Sequence, residues 1–250
     1  MKKASLVMIR LGIVLALAIA GCVQLPGQGR GLPLVSKILI NGEVTIIIGA
    51  SGNATISPYF YIAMDGKPLS GLDVILEGHR LNETSAGQYA GVSITDVVPA
   101  AGKTLKFLIK QHGLLTNPLT LFQDSGIAGT AVIGSMAAIS QPVSGSSLNV
   151  SSLGKSLTVA WMGGAPPFKL SLLKPSGSAV LEVFSQSGIM ASNFLLNTVL
   201  LQPSLQYQVG VSFNMGAFTL GPAGKELKIA IDPASAVKLR YTVFSTFSTN

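Results

Sequence analysis

The chain has 250 residues, 48% of them hydrophobic and only 11% charged, with 28 glycines and 13 prolines. That balance excludes a disordered chain, which is polar and highly charged. The net charge of +7 comes from scattered residues, not from the clustered basic face that nucleic-acid binding needs.

In chain order, the first element is a secretory signal. Lys2, Lys3 and Arg10 precede the apolar run Leu11 to Ala20, which passes through small residues into Cys22. A positive start, a short apolar core and a small-residue cut site have this layout. The run falls short of the roughly 20 apolar residues a spanning helix needs, and Gln24, Pro26 and Gly27 follow closely. Cleavage after Gly21 leaves 250 − 21 = 229 residues, and loss of three basic residues (17 − 3 = 14, against 10 acidic) leaves +4.

Ile19-Ala20-Gly21-Cys22 resembles the lipobox of bacterial lipoproteins. The resemblance implies that the Cys22 thiol receives a diacylglycerol, that residues 1–21 are removed, and that the new amino terminus is acylated. Several acyl chains anchor stably, since each buried methylene adds about 0.8 kcal/mol. Val23 stands where inner-membrane lipoproteins of enteric-type bacteria often carry aspartate, so the resemblance leans toward the outer membrane. Ala18-Ile19-Ala20 also fits ordinary cleavage, which would release a plain secreted protein. Residues 22–33 are rich in Gly and Pro and read as a lipidated tether. Gly27, Gly29 and Gly31 lack the strand before and helix after that a phosphate-binding loop requires.

From Leu34 the chain reads as short strands between turns. Val44, Ile46 and Ile48 alternate; Tyr59 to Met64 is an aromatic strand closed by Asp65-Gly66, a tight-hairpin signal. Leu72 to Glu77, the stretch from Tyr89 to Ile94, and Leu105 to Lys110 follow. Period-two alternation buries one face, and strands about ten residues apart suggest a sandwich. Of the three adjacent aromatics, either Phe60 or the pair Tyr59 and Tyr61 must face outward; packing between domains is the expected role, with glycan binding as the alternative. The soft stretch Gly126 to Ser135 reads as the domain junction. Strands then resume at Ser156–Trp161, Phe168–Leu173, Ala179–Phe184, Phe194–Leu201, Tyr207–Phe213, Glu226–Ile231 and Val237–Phe244.

In the second half, Leu201-x-Pro203-x-x-x-Tyr207-x-Val209-x-Val211 resembles the tyrosine-corner segment of fibronectin type III and related immunoglobulin-like domains. Ser156 to Trp161 resembles their strand ending in a core tryptophan, and Pro142 and Gly145 fit the opening strand. The resemblance spans roughly 138–232 and implies that Trp161 and Tyr207 are core residues. Leu72–Leu76, Gly87-Gln88-Tyr89 and Gly102–Phe107 look loosely like bacterial surface immunoglobulin-like repeats. The expected fold is therefore all-β: two immunoglobulin-like β-sandwiches in tandem, over 34–134 and 135–250. The pairing of a strand over Val237–Phe247 has no place in that scheme.

Chemistry is sparse. His79 and His112 are far apart, Glu77 and His79 would share a strand face but lack a third metal ligand, and the carboxylates stand singly. No catalytic elbow, zinc helix, phosphate loop or calcium loop occurs. The expectation is no catalytic residue, no metal and no cofactor, with Cys22 as the lipid-attachment site. The expected function is a non-catalytic binding or scaffold module of the cell envelope, held to the membrane by lipid, with a protein or glycan partner and no nucleic acid. Loops at Asp65-Gly66 and Gly163–Pro167 are the first contact candidates. One alternative is an accessory subunit that docks by strand addition through its apolar C-terminal strand. The other is a hydrolase with an unrecognised site.

Overall fold

The computed structural model describes residues 36–91, 93–111, 126–176, 179–224 and 229–250. The lipobox, Cys22, the tether, Val92 and His112 lie outside them.

The chain is all-β. The strands are β1 (Lys37–Ile48), β2 (Ala54–Met64), β3 (Lys67–Pro68), β4 (Leu72–Leu76), β5 (His79–Arg80), β6 (Asn82–Ser85), β7 (Gln88–Ala90), β8 (Thr104–Gln111), β9 (Ile127–Val132), β10 (Ala138–Gln141), β11 (Ser146–Leu148), β12 (Ser156–Met162), β13 (Phe168–Ser176), β14 (Ala179–Ile189), β15 (Asn193–Asn197), β16 (Gln206–Ala217), β17 (Thr219–Pro222), β18 (Ala230–Ile231) and β19 (Ala236–Thr249). Two 3-10 turns, Val150–Ser152 and Thr198–Leu200, follow Asn149 and Asn197, whose side chains accept the N–H groups of Ser151 and Val199. Asparagine suits that position because its short amide reaches an N–H the turn cannot satisfy.

The second lobe sets the sheet β10-β12-β15 against β14-β13-β16-β19, with β11 parallel to β19 on its far side. This is an immunoglobulin-like sandwich order. Trp161 packs edge-on to Phe168 at 5.2 Å, Phe168 to Phe213 at 5.5 Å and Phe213 to Tyr241 at 5.3 Å, a chain of rings across the two sheets. Trp161 and Tyr207 are both core residues, as expected. The Tyr207 hydroxyl accepts the Gln202 N–H at 2.7 Å and donates to the Leu200 carbonyl at 3.5 Å, pinning the chain before its own strand. Tyr207→Phe should destabilise the protein by about 1 kcal/mol, since it removes the part-buried bond to the Gln202 N–H while keeping the ring; equilibrium urea unfolding reads this directly.

The first lobe sets β1-β2-β7-β6 against β17-β9-β8-β4-β5. Phe60 on β2 meets Phe107 on β8 at 4.9 Å, and Phe107 meets Phe218 at 5.2 Å. Tyr89 repeats the device of Tyr207: its hydroxyl donates to the Leu69 carbonyl at 2.9 Å and accepts the Leu72 N–H at 3.2 Å. Asp65 (φ 48°) and Gly66 (φ 79°) form the expected tight turn between β2 and β3. Positive φ at both turn residues matches the strand twist, which is why Asp-Gly signals it.

The two lobes share strand β19. Its first half pairs with β1 in parallel, from Asn41 opposite Ala236 to Ile48 opposite Val243, and its other edge pairs antiparallel with β16. Alternation explains the placement: Val237, Leu239, Tyr241, Val243 and Phe247 all point inward and are buried. Two polar residues of the same face are satisfied. Ser245 donates to the Pro142 carbonyl, and the Thr249 hydroxyl donates to the Gln202 carbonyl while accepting the Leu205 N–H. Tyr241 donates to the Ala137 carbonyl at 2.9 Å, and burial pushes its phenol up to about 12.

Three expectations change here. The strand with no assigned pairing is the most central of the fold. Because both its edges are occupied within the chain, it offers no edge for strand addition. The soft stretch Gly126–Ser135 is mostly strand β9, between β8 and β17; Gly129 there lies under the Phe107 ring, so its small size reflects close packing rather than a linker. The strand read over Phe194–Leu201 stops at Asn197, where the asparagine-opened turn begins.

Candidate binding face

On the long shared sheet, every second residue points away from the core. Across β2, β1, β19 and β16, register places Ser57, Thr45, Arg240 and Asn214 in one row. The next row runs Thr55, Ile47, Thr242, Ser212 and Lys169, reaching β13. Tyr59 sits opposite Glu43, and Tyr61 opposite Asn41. Phe60 is buried, so the outward aromatics are the tyrosines. The expected packing between domains is not what Tyr59 does: it is 44% exposed on the open side of the sheet.

A cleft of about 330 Å³ opens on this face, lined among others by Glu43, Lys169, Ser187, Ser212, Asn214 and Arg240. Its lining mixes small polar side chains with the two long cations Arg240 and Lys169. The Glu43 carboxylate is already engaged: one oxygen accepts from Thr45 at 3.0 Å and the other takes the Arg240 guanidinium at 3.2 Å. Lys169 lies 3.5 Å from Glu182, which also accepts from Ser171 at 2.9 Å. Exposed pairs of this kind contribute about 0–1 kcal/mol, so they orient side chains more than they stabilise the fold. Among the described residues, the side chains of Ser187, Ser212, Asn214 and Thr242 have no intramolecular hydrogen-bond partner.

The residues singled out from the sequence are placed elsewhere. Cys22 lies outside the described residues. Glu77 and His79 do not share a strand face, because Glu77 and Gly78 form the turn between β4 and β5 with φ of 49° and 87°. Glu77 accepts the Lys106 N–H at 2.6 Å, whereas His79 pairs with Asp96 at 3.0 Å. The Asp65 carboxylate accepts the Lys37 N–H at 2.9 Å, which holds it below the usual carboxylate range. In the Gly163–Pro167 loop, a side chain at Gly163 would strike the Met136 carbonyl and one at Gly164 the Phe213 ring, so this loop is packed against the lobe. The cleft itself was hidden in the sequence because its residues come from five strands between Glu43 and Thr242. The only available signal was the outward half of each alternating pattern.

Fold and face together define an all-β protein of immunoglobulin-like sandwich architecture with an open polar face. No family model matches the chain, and no curated protein aligns with it. Among solved structures, it is similar to a bacterial ice-binding adhesin of 1.5 MDa, described in connection with host cell surface retention. The likeness has 17% identity and a TM-score of 0.25, and covers 86% of this chain and 65% of that one. It is also similar to the IG1+IG2 portion of DIP-gamma, at 11% identity and a TM-score of 0.21, covering 82% of this chain and 97% of that one. The chain thus spans just under two thirds of the adhesin structure it matches. The fold rests on the strand order above, and neither likeness bears on function.

Proposed function

We propose that this chain is a lipid-anchored cell-envelope protein, favouring the outer membrane, that works as a non-catalytic binding module for a protein or glycan. Cys22 is the anchor point in this reading, through the resemblance of Ile19-Ala20-Gly21-Cys22 to a lipobox. The observation that carries the non-catalytic part is the state of the acids. Every described carboxylate is held by a neighbour in its own chain: Glu43 by Arg240, Asp65 by Lys37, Asp73 by Arg80, Glu77 by Lys106, Glu83 by Gly71 and Gly87, Asp96 by His79, Glu182 by Ser171, and Asp232 by Ala234. Carboxylates used this way organise turns and strand ends, and among the described residues no two of them line one of the clefts at Glu43, Leu173, Ile75 or Gly52, as general acid–base work would require. The hydrolase alternative has no support from this arrangement.

Geometry supports display. β1 and β19 run parallel through one sheet. The 17 residues along that axis, 4 from Lys37 to the Ala236 level and 13 more to Thr249, span about 55 Å at roughly 3.3 Å per residue. The two lobes are therefore joined by one continuous sheet.

Cys22→Ser should move the protein from the membrane fraction to the soluble fraction and remove the acyl mass from the intact protein. Retention of Cys22→Ser at the membrane would overturn the anchor.

Strand addition remains a second reading at a different edge. β14 is an outer strand of the shared sheet, 11 residues long, largely exposed, and charged only at Glu182. Long edges with little charge are templates for an added strand.

A further inference from the structure

We propose that the cleft across β1, β19, β16, β13 and β14 binds an oligosaccharide carrying a carboxylate. Arg240 and Lys169 read the acid, and Thr242, Ser212, Asn214 and Ser187 read the hydroxyls. This rests on the binding-module reading above and names its ligand class.

Three observations converge. First, the cleft volume of about 330 Å³ falls within the ligand-pocket range of roughly 300–1,000 Å³. The side chains of Ser187, Ser212, Asn214 and Thr242 lack intramolecular partners among the described residues, so water satisfies them in the free protein. A polyhydroxyl ligand replaces that water bond for bond. The apolar, aromatic centre of a protein interface would leave the same groups unmade, at about 1–3 kcal/mol each. The cleft chemistry therefore favours a sugar over a protein.

Second, the lining carries two cations and one carboxylate. That carboxylate, of Glu43, already accepts from both Thr45 and Arg240, and Lys169 has its own exposed partner in Glu182 at 3.5 Å. A guanidinium has five N–H donors in a planar fork, and the Glu43 contact engages one Arg240 nitrogen, Nη2. The remaining donors match a carboxylate on the ligand.

Third, an aromatic residue lies on the strand beside the cleft. Tyr59 is opposite Glu43 on β2 and is 44% exposed, a ring available to the apolar side of a sugar. From Tyr59 on β2 to Ser187 on β14 is five strand spacings, about 24 Å at roughly 4.8 Å each. That length fits several linked rings rather than one.

The test is a titration of the mature full-length protein in detergent with a galacturonate tetrasaccharide and with its carboxyl-reduced counterpart, read by calorimetry and by amide NMR shifts. The expected result is saturable binding of the acidic sugar, with shifts confined to the outward rows around Glu43, Ser212 and Thr242. Arg240→Met should weaken binding about tenfold, the scale of one charge-assisted hydrogen bond. Ser212→Glu, which adds a negative charge to the floor, should weaken it at least as much, and Lys155→Ala, outside the cleft, should not change it. Both cleft variants replace outward side chains, and unchanged thermal midpoints verify that they fold. Equal binding of the carboxyl-reduced sugar, indifference to both cleft variants, or a flat titration overturns the proposal. A flat titration alongside crosslinks from this face to an envelope protein overturns it in favour of a protein ligand. Membrane partition of Cys22→Ser is read separately, so loss of the anchor reading leaves the sugar titration standing, and the converse.

Discussion

Deleting residues 236–250 should unfold both lobes, not only the second. The deletion removes Val237, Leu239, Tyr241, Val243 and Phe247, all buried. Each buried side chain of this size contributes about 1.5–3 kcal/mol, so the set is worth on the order of 10 kcal/mol, comparable to the whole stability of a domain at about 5–15 kcal/mol. It also strips the partner from β1 over Asn41–Ile48 and from β16 over Gln206–Ala217. Limited proteolysis and hydrogen exchange check the outcome. Protection should disappear from β2 and β8 in the first lobe together with β12 and β13 in the second. If the first lobe keeps its protection, the shared strand is not what holds it.

Phe107→Ala should cost about 3–5 kcal/mol, because the ring bridges Phe60 and Phe218 and covers Gly129. At about 2–4 °C per kcal/mol for a chain of this size, the thermal midpoint should fall by roughly 10 °C. Gly129 supplies an internal control. Gly129→Ala alone drives a methyl into the Phe107 ring and should destabilise. In the Phe107→Ala background the same methyl enters the vacated space, so the double variant should be more stable than the two single losses predict. Additive losses would mean that ring and glycine do not share one packing unit.

How far the residues announced this fold varies with the range of the interaction. Local signals worked: the Asp65-Gly66 turn, the alternation of β4, β8 and β16, and the Trp161 and Tyr207 landmarks all depend on neighbours within a few residues. Tyr89 carried the same corner chemistry as Tyr207, but its partners Leu69 and Leu72 lie in a turn with no distinctive pattern. Long-range pairing did not show. Nothing near Val237 indicates that its strand belongs beside Gly42, some 195 residues earlier, because parallel pairing leaves only an inward-facing alternation that any partner can satisfy. Gly126–Ser135 misleads for a related reason: glycine and alanine look like a linker locally, whereas here their smallness fits Gly129 beneath the Phe107 ring. The cleft was least visible of all, since serines, threonines and an asparagine on five strands acquire meaning only once register aligns them.

The shared strand also sets the order of events during synthesis. A chain made from its amino terminus presents β1 long before β19 exists. The sheet edge of β1 therefore stays open until β19 has been made, so the first lobe cannot lock while the chain between them is still being added. Joining segments this distant in sequence makes folding intrinsically slow. The same bond pattern that unites the finished molecule thus acts as a timer, postponing rigidity until the last strand is in place.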